Sequence, residues 1–314
     1  MSRRRRTLPE KPHDPSALTP DPSQIGVVAQ VPFVRLPAPD AMFRARAERF
    51  RSVAPGHPLE SFLLLLAHIA DAQHVVQSEI VLAPLPQDAL LRVEHGMPPL
   101  SSLLLRDDSA LPLAIERFLE SVHVADAPDE ARQAHGLLRA ASADERLDFA
   151  LQIFESSFPF DRLAEVVFVA AALQVYLARR VATLPAKELK PVADGVCPAC
   201  GGAPVASLVV GWAPVEKARY CACSLCAAEW NYVRIRCTSC GSTKGITYQS
   251  IEDQSKALAV ETCDECRSYI KHLHQHDDPH LDPVADDIAS YALDLLIRER
   301  GYRRSGINPL FVSG

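Results

Sequence analysis

CACSLCAAEW, residues 221–230, places three cysteines within six positions. A tetrahedral metal site built from C-x-x-C pairs uses two cysteines from each pair, so one of Cys221, Cys223 and Cys226 is in excess. The rest of the chain decides which. Cys197-x-x-Cys200 lies 22 residues before Cys223-x-x-Cys226, and Cys237-x-x-Cys240 lies 22 residues before Cys263-x-x-Cys266. The pattern C-x2-C-x22-C-x2-C therefore occurs twice with equal internal spacing. A Cys221 ligand would break that equality, so Cys223 and Cys226 are the expected ligands and Cys221 the spare thiol.

This spacing has a physical basis. The sulfurs of a C-x-x-C turn converge on one ion while backbone N–H groups behind the turn bond them. A glycine after the second cysteine, as in CPACGG and CTSCG, eases the reversal. Two such turns on separate hairpins close a four-sulfur site, the ribbon arrangement. Redox-active dithiols are the main non-metal alternative. Four thiolates leave no open position for substrate or water. That disfavours metal-assisted hydrolysis and leaves structural support, one-electron transfer or a folded platform for a partner. Sulfur-rich tetrahedral sites suit both zinc and iron, and spacing does not choose between them.

All nine cysteines fall between residues 197 and 266 of the 314, which divides the chain chemically. Ahead of them the texture is helical. Ten prolines in the first 58 residues make 1–40 an extended, partly disordered arm. AMFRARAERFRSV (41–53) follows, and Pro58 precedes a helix over 62–79 with Phe62, Leu65, Leu66, Ile69 and Val76 at helical spacing. Ser142 and Glu145 form a capping-box pattern ahead of Leu147, Ala150, Leu151 and Phe154. Residues 163–178 are apolar almost all round, with Glu165 and Gln174 the exceptions, as in a central buried helix. The expectation is an all-α bundle of roughly six helices over 41–186, with KELKPVADG (187–195) as linker.

After 197 the segments PVASLVVGW, KARYCAC, WNYVRIRC, GITYQSIE and KALAVETC read as strands of small sheets. The first ribbon is set at 187–236 and the second at 237–276. Residues 277–314 hold a C-terminal helix and tail, with Pro283 in the first turn and Asp286 and Asp287 at the positive helix start. The fold class is thus α+β: a helical bundle, two tandem rubredoxin-like or zinc-ribbon β modules, and a C-terminal helix.

Charge narrows the function. Net charge is −6, and residues 191–276 hold eight basic and eight acidic residues. Two divalent tetrathiolate sites would bring that segment to about −4, whereas phosphate binding needs a basic surplus. Trp230 and Tyr232 are expected as core aromatics rather than base-stacking groups. The apolar stretches 62–76 and 166–178 are too short or too polar to span about 30 Å of hydrocarbon. Arg3 to Arg6 lack the apolar stretch of a signal peptide or twin-arginine leader. The reading is cytoplasmic, where thiols stay reduced and paired cysteines bind metal. His68 and His74 read as ordinary helix histidines. His272, His274 and His276 alternate in KHLHQHDDPH (271–280), where a third metal site competes with a solvated strand end.

CPACGGAPVASLV, CSLCAAEWNYVRIRCTSCG, ETCDECRSYIK, DPVADDIASYALDLL and GYRRSGINPL together resemble the FdhE family of formate dehydrogenase accessory proteins. The likeness is dense over 195–312 and looser over 40–180. It implies a cytosolic, non-catalytic maturation factor that contacts the catalytic subunit of formate dehydrogenase. It also implies rubredoxin-like iron on Cys197, Cys200, Cys223, Cys226, Cys237, Cys240, Cys263 and Cys266, two ions per chain with zinc as the alternative. Cys221 lies outside the family pattern, and a homo-oligomer is left open. The competing readings are a rubredoxin-like electron carrier and, below it, a zinc-ribbon nucleic-acid adaptor.

Overall fold

The computed structural model describes residues 31–211, 215, 217–250 and 257–312. The arm expected over 1–40 lies, up to residue 30, outside these described residues. The described part of the arm is ordered against the sheet. Val34–Arg35 forms strand β1 and pairs with β4 (Glu229–Asn231). Arg35 Nη1 donates to Glu229 Oε2 at 2.6 Å, and Asn231 N donates to Phe33 O at 2.7 Å. No strand alternation was legible before residue 190 because two residues are too few to show a period of two.

Eight α-helices follow between Pro39 and Val181: α1 Pro39–Val53, α2 Glu60–Glu79, α3 Gln87–Glu94, α4 Ser102–Asp107, α5 Ala110–Ser121, α6 Asp129–Ala140, α7 Ala143–Phe154 and α8 Leu163–Val181. The excess over six comes from α3 and α4, short helices set between proline-rich turns. The capping box on α7 forms: Glu145 N donates to Ser142 Oγ at 3.2 Å and Ser142 N donates to Glu145 Oε2 at 2.8 Å. In α8, 15 of 19 residues are buried, so it is the axis on which α2, α5, α6 and α7 pack. Its polar exceptions have partners. Arg162 Nε donates to Glu165 Oε1 at 2.9 Å. Gln73 Nε2 donates to Gln174 Oε1 at 3.1 Å, and Gln174 Nε2 donates to the Ser224 carbonyl at 2.8 Å. That last bond ties the central helix to a cysteine turn.

The remaining strands are β2 Pro204–Val209, β3 Arg219–Cys223, β5 Ile246–Gln249, β6 Leu258–Cys263, β7 Ser268–His274 and β8 Arg303–Arg304. Instead of separate small sheets, the described strands form one sheet in the order β1-β4-β3-β2-β7-β6-β5, with β8 beside β7. Each repeat is an antiparallel meander, β2-β3-β4 and β5-β6-β7. The two meanders fuse through the parallel pair β2–β7, with Ser207 opposite His272 and Val209 opposite His274. Fusion buries β7 along Ser268–Leu273.

The C-terminal helix is two short ones, α9 Ala285–Ala289 and α10 Tyr291–Glu299. Its start is capped by Asp282, whose Oδ1 accepts from Val284 N at 2.9 Å and Ala285 N at 2.8 Å. Asp286 and Asp287 lie in the first turn as expected, and Asp286 Oδ2 accepts from Asp282 N at 2.8 Å at the helix start; both also serve partners outside the helix. Asp286 accepts from Arg49 Nη2 of α1 at 2.7 Å. Asp287 is buried among Lys271, Arg304 and Asn308. These carboxylates clamp the C-terminal segment onto both the helical layer and the sheet.

Candidate metal centres

The eight paired cysteines come together as two groups of four: Cys197, Cys200, Cys223 and Cys226, and Cys237, Cys240, Cys263 and Cys266. Grouping runs within each repeat and not across repeats. In the first, Sγ atoms of Cys197 and Cys226 are 3.6 Å apart and those of Cys200 and Cys223 3.4 Å apart. In the second, Cys237 and Cys266 are 3.6 Å apart and Cys240 and Cys263 3.8 Å apart. A metal–sulfur bond of about 2.3 Å places the sulfurs of a tetrahedron about 3.8 Å apart, whereas a disulfide needs about 2.05 Å. The spacing fits a shared zinc or iron ion, and the all-sulfur donor set suits either.

Local sequence builds these turns. Gly201 N donates to Cys197 O at 2.9 Å and Gly241 N to Cys237 O at 3.0 Å, closing equivalent reversals. The residue after the second cysteine of every pair has a left-handed backbone: Gly201 (φ 80°), Ala227 (φ 59°), Gly241 (φ 70°) and Arg267 (φ 57°). Glycine adopts this without cost, and a Cβ carries some strain there. Backbone N–H groups face the sulfurs. Gly202 N donates to Cys200 Sγ at 3.4 Å, Leu225 N to Cys223 Sγ at 3.5 Å and Ser239 N to Cys237 Sγ at 3.3 Å. A Cβ at Gly202 would sit 3.3 Å from Cys223 Sγ, so the chain passes the cluster as closely as glycine allows.

The clusters differ in their surroundings. All four cysteines of the first are buried and join the main apolar core with the helices. In the second, Cys240 is exposed and Cys266 half-buried. Ser268 Oγ lies 2.9 Å from Cys266 Sγ and 3.5 Å from Cys237 Sγ. Burial raises the Cys237 thiol, but the Ser268 hydroxyl and the N–H groups of Cys240 and Ser239 outweigh it and hold the group at about 7.

Cys221 belongs to neither cluster. It is buried, with its Sγ 3.9 Å from Ser207 Oγ, and burial pushes its thiol up to about 11 against the pull of Arg219. Cys221 stands two residues before Cys223, as Glu261 stands two before Cys263. Trp230 is 2% exposed and in the core, whereas Tyr232 is half-buried, packed against that core, with its hydroxyl 2.8 Å from Asp194 Oδ1 and 3.0 Å from Cys237 O. His68 stacks edge-on against His123, and His74 Nε2 lies 2.7 Å from Arg44 Nη2.

Sequence reasoning missed the connection between the two repeats. Arg219, at the start of β3, donates from Nη1 and Nη2 to the two carboxylate oxygens of Glu261 at 3.0 Å each. Its Nη1 also lies within 3.2 Å of the carbonyls of Val233, Arg234 and Arg236, the link that leads into Cys237. Tyr248 donates to Glu261 at 2.9 Å. His272 Nε2 stands 3.3 Å from Glu261 without an aligned hydrogen bond, and burial pushes this imidazole down to about 4. The signal was present: an arginine in ARYCAC and a glutamate in LAVETC, each inside an otherwise apolar strand.

With this geometry in hand, comparison with known proteins is decisive. Family models described as FdhE, N-terminal; FdhE, central domain; and FdhE, C-terminal domain match residues 31–194, 196–234 and 235–311. The chain belongs to the FdhE family. The Protein FdhE homolog of Rhizobium meliloti (strain 1021) is 40% identical over 306 residues, covering 95% of this chain and 98% of the relative. Protein FdhE of Escherichia coli O9:H4 (strain HS) is 34% identical over 292 residues, covering 90% and 92%. The crystal structure of the FdhE protein from Pseudomonas aeruginosa superposes with a TM-score of 0.80 at 34% identity, covering 90% of this chain and all of that one. FdhE membership supports an accessory role toward formate dehydrogenase. The N-terminal family model extends the match across the helical part, residues 31–194, as well as the cysteine-rich part.

Proposed function

We propose that this chain is a cytoplasmic accessory protein needed for formate dehydrogenase to become active, and that it binds the catalytic subunit of that enzyme without being a catalyst itself. In this reading Cys197, Cys200, Cys223 and Cys226 hold one ion, and Cys237, Cys240, Cys263 and Cys266 hold a second. Iron is favoured and zinc is the alternative. The division into a helical domain (41–186), two ribbons (187–236 and 237–276) and a C-terminal segment (277–314) belongs to the same proposal. The observation that carries it is the pair of four-sulfur clusters of tetrahedral size on an FdhE-family chain.

When bound, an ion in such a set supplies cross-linking of the ribbon or a one-electron couple, and no vacant position for substrate. The chain's own residues do the rest. The N–H groups at Gly202, Leu225 and Ser239 donate to the sulfurs and so would stabilise thiolate charge. The left-handed turns fix sulfur directions, and Gln174 anchors the first cluster to α8. Among the described residues no helix is long and apolar enough to cross a membrane.

The test is direct association. Purified full chain with its metal content measured is mixed with purified catalytic subunit. The proposal expects a complex and no formate oxidation by this chain alone. It fails if the two do not associate under anaerobic conditions with both sites filled. The exposed Cys240 favours one second reading, a rubredoxin-like electron carrier. That reading expects a reversible visible absorbance change of the iron form with a physiological reductase, in the absence of the catalytic subunit.

A further inference from the structure

The alternating histidines in KHLHQHDDPH are not absorbed by either cluster. The structure sorts them. His272 is buried with Glu261, whereas His274, His276 and Asp277 can bring one ligand atom each within 4.8 Å of one another. The rings of His274 and His276 are 5.3 Å apart and nearly perpendicular, and His276 Nε2 is 3.3 Å from Asp277 Oδ2.

The segment is held in place. His274 ends β7, with its N–H donating to Ala257 O at 2.8 Å. Its carbonyl accepts from Asp277 N at 2.9 Å and Asp278 N at 3.2 Å, which closes a tight turn. Gly211, just past β2, packs so closely that a Cβ there would meet His276 Cα at 2.5 Å. His274 is half-buried while His276 and Asp277 are exposed residues, the His276 side chain 26% and the Asp277 side chain 48% exposed, so the group lies at the surface, open to solvent.

We propose that His274, His276 and Asp277 form a third metal site, one that takes a divalent transition ion such as Co2+, Ni2+ or Zn2+. Two imidazoles and a carboxylate are borderline donors suited to these ions rather than to calcium or magnesium. Three protein ligands leave coordination positions open, unlike the closed four-sulfur sets. The site is therefore open to water where the cysteine sites are closed. It does not rest on the formate dehydrogenase reading.

The experiment is a Co2+ titration of the full chain after its cysteine sites have been saturated with Zn2+. The proposal expects one further Co2+ per chain, with ligand-field absorption but no sulfur-to-cobalt charge-transfer band. The His274→Asn/His276→Asn double variant should lose that equivalent while keeping its two zinc ions, which shows that the fold is intact. Asp277→Asn should weaken binding by more than about tenfold, since even groups behind the ligands are worth that much. His280→Asn, outside the triad, should bind as the parent does. No further equivalent, or one that persists in the double variant, overturns the proposal. Cobalt displacing zinc from cysteine would show the charge-transfer band, so weakness of the cysteine sites is read separately from failure of the triad.

Discussion

Arg219→Met tests how the two repeats are joined. The Arg219 side chain is fully buried and Glu261 is 2% exposed, with two parallel hydrogen bonds of 3.0 Å between them. Methionine keeps the length and removes the charge, which strands a buried carboxylate and takes a donor from the carbonyls of Val233, Arg234 and Arg236, of which Arg234 O keeps the Tyr248 hydroxyl. Breaking one partner of a buried pair costs about 3–5 kcal/mol. Removing both charges, as in Arg219→Met/Glu261→Leu, should recover most of that loss. In both variants the carbonyls of Val233 and Arg236 lose the Arg219 donor, whereas Arg234 O keeps the Tyr248 hydroxyl at 2.8 Å, and because the link is exposed at Val233 and Arg234 water can replace part of what is lost. The order of stability is therefore parent, double variant, single variant. Denaturant midpoints should be measured at fixed free zinc, because bound metal adds stability by mass action. The loosened link runs into Cys237, so the single variant should also release metal from the second cluster faster than the parent does, with release from the first cluster less affected. A single variant within about 0.5 kcal/mol of the parent, the range of an ordinary surface change, would refute the reasoning.

Chelator should empty the clusters in sequence, the second first, because Cys240 is exposed while all four ligands of the first are buried. Mass spectrometry after brief alkylation should find Cys240 labelled well before Cys197. Cys221→Ser should leave metal content at its parental value and cost no more than about 1–3 kcal/mol, since the new hydroxyl faces Ser207; loss of a metal equivalent would place Cys221 among the ligands. His272 should make the fold acid-sensitive. Its folded value is lowered from 6.5 to about 4, mainly by burial and also by Arg219, with Glu261 opposing. There is no penalty above about pH 6.5, and one of up to about 3 kcal/mol accumulates as pH falls toward 4, because only the unfolded chain takes up the proton. A His272→Gln variant should show a flatter stability profile across that window, read from denaturation at successive pH values.

Equal 22-residue spacings were enough to group the eight cysteines correctly, because a C-x-x-C turn is a local object whose geometry is set by a few residues. Burial of α8 and the α7 capping box were legible for the same reason. What joins distant segments was not. The parallel β2–β7 pairing depends on which strand edges meet, and hydrophobic alternation carries no information about that. Asp286 and Asp287 do sit in the first turn of the helix, but their further partners Arg49, Lys271 and Arg304, on α1, β7 and β8, were not legible. WNYVRIRC looked like one strand by composition. Only Glu229–Asn231 pairs, because the carbonyls of Val233, Arg234 and Arg236 turn toward Arg219. Among the histidines, the alternation assumed one extended run, but β7 ends at His274 and His276 lies in the turn that follows. It did not foresee that His272 would be covered when the sheets fused.

The most direct test of the central claim is formate dehydrogenase activity in a strain that lacks this protein and has no second copy of its gene, with the catalytic subunit quantified in the same extract. The account predicts that the subunit polypeptide is present at near-normal amount, that its activity is nearly absent, and that the intact gene restores it. Full activity in the deleted strain would contradict the account and leave the electron-carrier reading in its place.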